Sequence, residues 1–256
     1  MKKCIICDTP NDAKSIEHIV SESLGNKNYV IEKGKICDDC NNKFAKFEGK
    51  ALSNSIILME RARLGTKTKA GKSVNGKIKG LNIKGHPDFI KQNVIVSGID
   101  SENLSDFDPN RGTLKLRIDS FDKSEAATAK FLLKVGIEAL FTSKKKIFKK
   151  YNFDELKLHL TNKNNKDWGF ILASKEHGKF DTIPIQMDKV KLKKISCELR
   201  FHEKSNNELL FKFKYGAVAM IINLINRNLD WVKIYQLNED HVNIYPSHLS
   251  KITTNK

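Results

Sequence analysis

Four of the five cysteines form two C-x-x-C pairs, Cys4 with Cys7 and Cys37 with Cys40, separated by residues 8–36. Each pair makes a tight knuckle that can aim two sulfurs at one ion, so together they offer four thiolates to a tetrahedral zinc. Two disulfides or a redox pair are the alternative. Export is not expected from the residues around Cys4, and no thioredoxin-like β-α-β pattern surrounds either pair, which favours zinc. Inside the loop lies Glu17-His18-Ile19, and the second pair continues as Cys40-Asn41. On an extended chain Glu17 and His18 point to opposite sides, so the carboxylate could take a hard cation while the imidazole faces a water. Asn41 would open a helix anchored by the zinc and could lend its amide oxygen to the same cation. Cys197 alternates with Leu199 and Phe201 and is expected to be a buried core thiol.

These groups need elements to hold them. Phe44, Phe47, Ala51, Leu52, Ile56 and Met59 carry helical spacing after Asn41, interrupted near Gly49. A glycine-punctuated stretch follows, in which Asn75-Gly76 is the expected hairpin turn. Residues 122–141 read as one helix with Ala126, Ala129, Leu133, Ile137 and Leu140 on its buried stripe, opened by Asp122 and Glu125 as a capping box. From Trp168 onward the pattern is mainly β: 169–173, 182–187, 195–201 and 209–215, with Asn206-Asn207 as a turn. Residues 217–225 fit a buried strand or a short helix equally. The expected class is α+β, with a small zinc module at 1–60, a basic hairpin or connector at 61–90 and a larger mixed α+β domain at 91–256.

The chain has 46 Lys and Arg against 30 Asp and Glu, a net charge of +16, which points to a polyanionic partner. Between residues 61 and 84 stand Arg61, Arg63, Lys67, Lys69, Lys72, Lys77, Lys79 and Lys84 and no acid. That run would make a track facing phosphates, or else a solvated connector. No stretch approaches the roughly 18 apolar residues of a membrane span, and no basic amphipathic helix suits a membrane surface. A cytoplasmic location is expected, since Asp8 interrupts the start before any secretory hydrophobic region develops. Walker loops, dinucleotide fingerprints and Ser-His-Asp arrangements are missing from the sequence.

The nesting of C-x-x-C, Glu-His-Ile with a following Ser-Leu-Gly turn, and C-x-x-C-Asn resembles the HNH nucleases with a zinc-stapled ββα-metal fold, over residues 1–50. The resemblance implies that Cys4, Cys7, Cys37 and Cys40 hold a structural zinc. It implies His18 as the general base on water, and Glu17 and Asn41 as ligands of a catalytic Mg or Mn ion. Ser21 stands where this group often has Pro, Asn26 where it often has Gly. The Asn that steadies the general base in many relatives has no clear counterpart.

The residue types suit that chemistry independently. A phosphodiester repels hydroxide, so its hydrolysis needs a cation on the phosphate and leaving 3′ oxygen and a base poised near neutral pH. The expectation is therefore a metal-dependent endonuclease acting on double-stranded DNA, suited to restriction or phage defence, with a homodimer fitting a palindromic target. A non-catalytic zinc module that binds nucleic acid and an RNA-directed nuclease with the same site are the competing readings.

Overall fold

The computed structural model describes residues 2–116, 121, 125–161, 166–174, 188–189, 197–204, 208–234 and 243–250. At the N-terminus β1 (Lys2–Lys3) pairs antiparallel with β2 (Pro10–Asn11), and the first cysteine knuckle is the loop they flank. Residues 17–19 then run antiparallel to 29–31 through Ile19 N–H to the Tyr29 carbonyl (3.1 Å) and Ile31 N–H to the Glu17 carbonyl (3.0 Å). A 3-10 turn at Glu22–Leu24 closes this ladder, ended by Gly25 at φ 85°.

Helix α1 (Asp38–Leu52) begins at the second knuckle, with Cys37 as its N-cap and Asp38 and Asp39 in its first turn. It runs unbroken through Gly49. The interruption falls instead at Ser53-Asn54, before α2 (Ser55–Arg63), and the Asn54 amide there donates to Thr128 Oγ1 at 2.8 Å.

The hairpin exists, but its turn is displaced from the expected one. Strands β3 (Asn75–Ile78) and β4 (Leu81–Gly85) pair with Ile78 opposite Leu81, so Lys79-Gly80 makes the two-residue turn, both at positive φ. Gly76 lies within β3 for a packing reason: a Cβ there would sit 2.7 Å from Leu58 of α2. Strand β5 (Val94–Ser97) completes this sheet, and α2 covers it through Leu58 and Ala62 against Val74, Ile78, Leu81 and Ile83. A two-stranded ribbon follows, β6 (Leu104–Asp108) with β7 (Thr113–Leu116).

Helix α3 (Glu125–Ser143) is the centre of the molecule. Apart from Lys130, every residue from Ala127 to Leu140 is buried, so the expected single stripe is in fact an all-round interior face. The cause is that α3 lies between α1 and a sheet. Beyond it come α4 (Lys145–Lys150) and α5 (Asp154–Leu160), then β8 (Phe170–Ser174), β9 (Asp188–Lys189), β10 (Cys197–Lys204), β11 (Glu208–Tyr215), β12 (Val218–Asn223), α6 (Asp230–Ile234) and β13 (Asn243–Tyr245). The strands form a six-stranded sheet in the order β13-β8-β12-β11-β10-β9, and every pairing in it is antiparallel. Residues 218–223 are thus strand: β12 sits between β8 and β11 with all six side chains buried.

Phe131 of α3 meets Phe213 edge-on at 5.4 Å, and Gly136 lets the helix approach Phe211 and Leu224. On the opposite face Trp231 and Val232 of α6 cover Ile171, Leu210 and Ile221. Cys197 is buried as expected. One apolar cluster runs unbroken from Cys4 and Phe44 through α3 to Phe213 and Ile225, joining the cysteine module to the sheet. The expected strand at 182–187, the turn at Asn206-Asn207 and the cap at Asp122 lie outside the described residues. Among the described residues no helix is long and apolar enough to cross a membrane.

Candidate active site and metal centre

The four predicted cysteines converge. Their sulfurs all lie within 4.8 Å of one another, with Cys7 Sγ 3.6 Å from Cys37 Sγ. A tetrahedral Zn–S bond of about 2.3 Å implies S···S edges of about 3.8 Å, so this donor set fits zinc. The knuckles are built by backbone. Asp8 N–H closes on the Cys4 carbonyl, Asn41 N–H on the Cys37 carbonyl (both 3.0 Å), and Asp8 takes φ 59°. Hydrogen bonding from Cys40 holds the Cys4 thiol down to about 4. The bond to Cys4 raises Cys40, and burial raises Cys37.

Glu17 is 7% exposed and faces α3, where Lys134 Nζ pairs with its Oε1. The same ammonium donates to the His18 carbonyl at 2.6 Å and lies 3.1 Å from both Glu48 and Glu138 carboxylates. Burial pushes the Glu17 and Glu138 carboxyls up against the pull of Lys134. It also works against the ammonium, yet Glu138, Glu48 and Glu17 together hold Lys134 well above the ordinary lysine value. Lys134, Glu48 and Glu138 were missed in the sequence reading. The signal for Lys134 and Glu138 was a Lys and a Glu one helical turn apart in an otherwise apolar segment of α3; Glu48, on α1, had no such signal.

The His18 imidazole is a quarter exposed. Its Nε2 is 4.0 Å from Glu22 Oε1, and its Nδ1 has no hydrogen-bond partner among the described residues. The Asn41 amide donates to Ser15 Oγ at 3.1 Å, and Ser15 in turn bonds Asp38, whose carboxyl that contact holds below the usual range. Among the described residues no hydrogen bond or ion pair joins Glu17 or His18 to Asn41. Both expected cation ligands nevertheless share one feature. Glu17 is tied through Oε1 and Asn41 through Nδ2, and among the described residues no hydrogen bond or ion pair is made by Glu17 Oε2 or Asn41 Oδ1. A carboxylate and an amide oxygen are the donor types that a hard divalent ion takes.

Asn26, noted above as a departure, is fully buried. Its amide donates to the Val20 carbonyl and to the Tyr29 carbonyl at 3.0 Å, and accepts Tyr29 N–H at 2.9 Å, lacing the two sides of the His18 ladder. Asn26→Ala is expected to cost about 1–3 kcal/mol, read as a lowered urea midpoint at unchanged slope. An unchanged midpoint would mean that the loop is held by something else.

The basic run divides. Arg61 Nε donates to the Ser23 carbonyl at 2.9 Å, and its burial lowers the guanidinium pKa. Arg63 forks onto Glu60 (2.8 and 2.6 Å). Both arginines brace α2 internally. Lys67, Lys69, Lys72, Lys77, Lys79 and Lys84 are exposed, Lys67 lying over the Phe89 ring at 4.3 Å. Lys69 is 3.8 Å from Glu22, the residue beside His18.

Residues 4–57 match the family model described as HNH endonuclease. No curated protein and no solved structure matches the chain. The matched segment runs from the first zinc-site cysteine into α2 and takes in Glu17, His18 and Asn41. The N-terminal part of this chain is therefore similar to the HNH endonuclease family, a nuclease type that acts on nucleic acid, and has four cysteines placed to hold zinc.

Proposed function

We propose that the protein is a metal-dependent endonuclease that hydrolyses DNA phosphodiester bonds, with His18 as general base and Glu17 and Asn41 holding one Mg or Mn ion. The observation that carries this reading is the match over residues 4–57 falling on Glu17, His18 and Asn41, with the His18 imidazole a quarter exposed. A zinc ion held by Cys4, Cys7, Cys37 and Cys40 would have no open position and would serve to fold the segment. His18 orients a water and accepts its proton as the oxygen attacks phosphorus in line with the 3′ oxygen. The divalent ion, when bound, supplies charge stabilisation at the phosphate and the leaving oxygen. Cleavage leaves 5′ phosphate and 3′ hydroxyl ends. Duplex DNA, a homodimer on a symmetric target, and a setting in restriction or phage defence complete the proposal.

The substrate arm of this reading rests on Lys69 standing beside Glu22, whose carboxylate is 4.0 Å from His18, with Lys67, Lys72, Lys77 and Lys79 continuing the exposed charge. Replacing Lys69 and Lys72 together by Ala is expected to flatten the slope of log affinity against log salt by about 2. Filter binding on one duplex at several salt concentrations measures it, and an unchanged slope would remove these lysines from the interface. The activity is tested by incubating the protein with supercoiled plasmid, single-stranded DNA and RNA in Mg, in Mn and in EDTA. Nicked or linear plasmid with 5′ phosphate ends, formed only with added metal, is the expected result. Cleavage confined to RNA would reassign the substrate, and binding without cleavage of any substrate would leave a zinc-dependent binding module.

A further inference from the structure

We infer that Lys134, on α3 and outside the matched segment, is a positioning residue of the nuclease site, presetting Glu17 and His18 from the far side of the chain. The inference rests on the reading above. An ammonium has three protons and no acceptor, and a lysine with no solvent exposure must place all of them on protein. Here one goes to Glu17 Oε1 and one to the His18 carbonyl, while Glu48 and Glu138 lie 3.1 Å away on the remaining side. Two successive residues of the active site are thus gripped by one cation, one through its side chain and the other through its backbone.

The grip matters because little else fixes them. His18 Nδ1 has no hydrogen-bond partner among the described residues, and Nε2 is 4.0 Å from Glu22. The imidazole is therefore aimed by its backbone, which the ladder to Val30 holds on one side and Lys134 on the other. Among the described residues Lys134 is the ion-pair partner of Glu17. With Oε1 pinned, Oε2 has a set direction, the arrangement by which outer partners orient metal ligands. Lys134 is itself immobile: Phe131 lies against Phe213, Gly136 sits on Phe211 and Leu224, and Glu138 is one turn further along. The six-stranded sheet therefore holds the site through α3, and the matched N-terminal segment alone lacks this part of it.

The test uses full-length protein in two variants. Lys134→Met removes the ammonium at similar length; Lys134→Met with Glu48→Gln also lowers the buried negative charge, so that a folded protein is obtained if the single variant is too unstable. Zinc content and circular dichroism establish folding. Mn2+ binding is then titrated calorimetrically, with Glu17→Gln as the control that identifies the site, and cleavage is followed in parallel. The expected result is full zinc, unchanged duplex affinity, and Mn2+ affinity and cleavage rate each reduced about tenfold or more. A folded, zinc-loaded variant whose Mn2+ affinity equals or exceeds wild type overturns the role of Lys134. Wild type that binds Mn2+ through Glu17 but cuts nothing refutes the nuclease reading alone, and the variants still decide on Lys134. Wild type with no Glu17-dependent Mn2+ binding overturns the inference itself.

Discussion

Cys37→Ser is expected to unfold the N-terminal end of the chain. Cys37 has three duties at once: its thiolate belongs to the four-sulfur set, its carbonyl accepts Asn41 N–H, and its sulfur caps α1 by accepting Cys40 N–H at 3.4 Å. Serine keeps the size but is a poor zinc ligand. Structural zinc contributes roughly 10–16 kcal/mol to small zinc-folded segments, comparable with the whole stability of an ordinary domain of about 5–15 kcal/mol, so losing a large share of it is decisive. The damage should spread, because Cys4, Cys37 and Cys40 pack in the same cluster as Phe44, α3 and the inner face of the sheet. Zinc per chain should fall from about one to near zero, and limited proteolysis should cut rapidly before α3. The cluster of Ile171, Leu210, Ile221 and Trp231 on the outer face of the sheet touches none of this and should stay protected longest. A soluble Cys37→Ser protein with full zinc and unchanged proteolysis would contradict the four-thiolate assignment.

His18→Ala is expected to have the opposite profile, a normal fold with cleavage reduced about 10²- to 10⁴-fold. Its contacts in the fold belong to the backbone. The bridge to Val30 and the bond from Lys134 to the carbonyl both survive truncation of the side chain. The imidazole is a quarter exposed and fills no core position. Its removal takes away a proton acceptor and little packing. Zinc content, thermal midpoint and duplex affinity should therefore stay near wild type while the rate collapses. A variant that loses zinc along with activity would mean that the imidazole is structural.

What could be read in advance was what local chemistry dictates. The cysteine knuckles were legible because two residues of spacing and one backbone turn suffice to converge two sulfurs, and α1 because its apolar spacing follows directly. The hairpin was legible as a hairpin, but its turn was displaced, because the freedom of Gly76 serves a contact with Leu58 from another helix, which local pattern does not encode. Residues 217–225 resolved into a strand only through neighbours β8 and β11 on either side. Arg61 read as part of a phosphate track, yet the carbonyl of Ser23, far away in sequence, claims it. The same holds at the site. Glu17, His18 and Asn41 were readable as types in a nested motif, whereas Lys134, which grips Glu17 and the His18 carbonyl, lies on a helix more than a hundred residues away, a contact that local pattern does not encode.

The central claim is that His18 activates water in a metal-dependent nuclease, and it is tested most directly by plasmid cleavage with wild type and His18→Ala side by side. Both proteins would be matched for zinc content and duplex affinity, then assayed in Mg, in Mn and in EDTA. Wild type should nick or linearise the plasmid, with cleavage that disappears in EDTA and falls at least a hundredfold in His18→Ala. Equal cleavage by the two proteins would contradict the central claim.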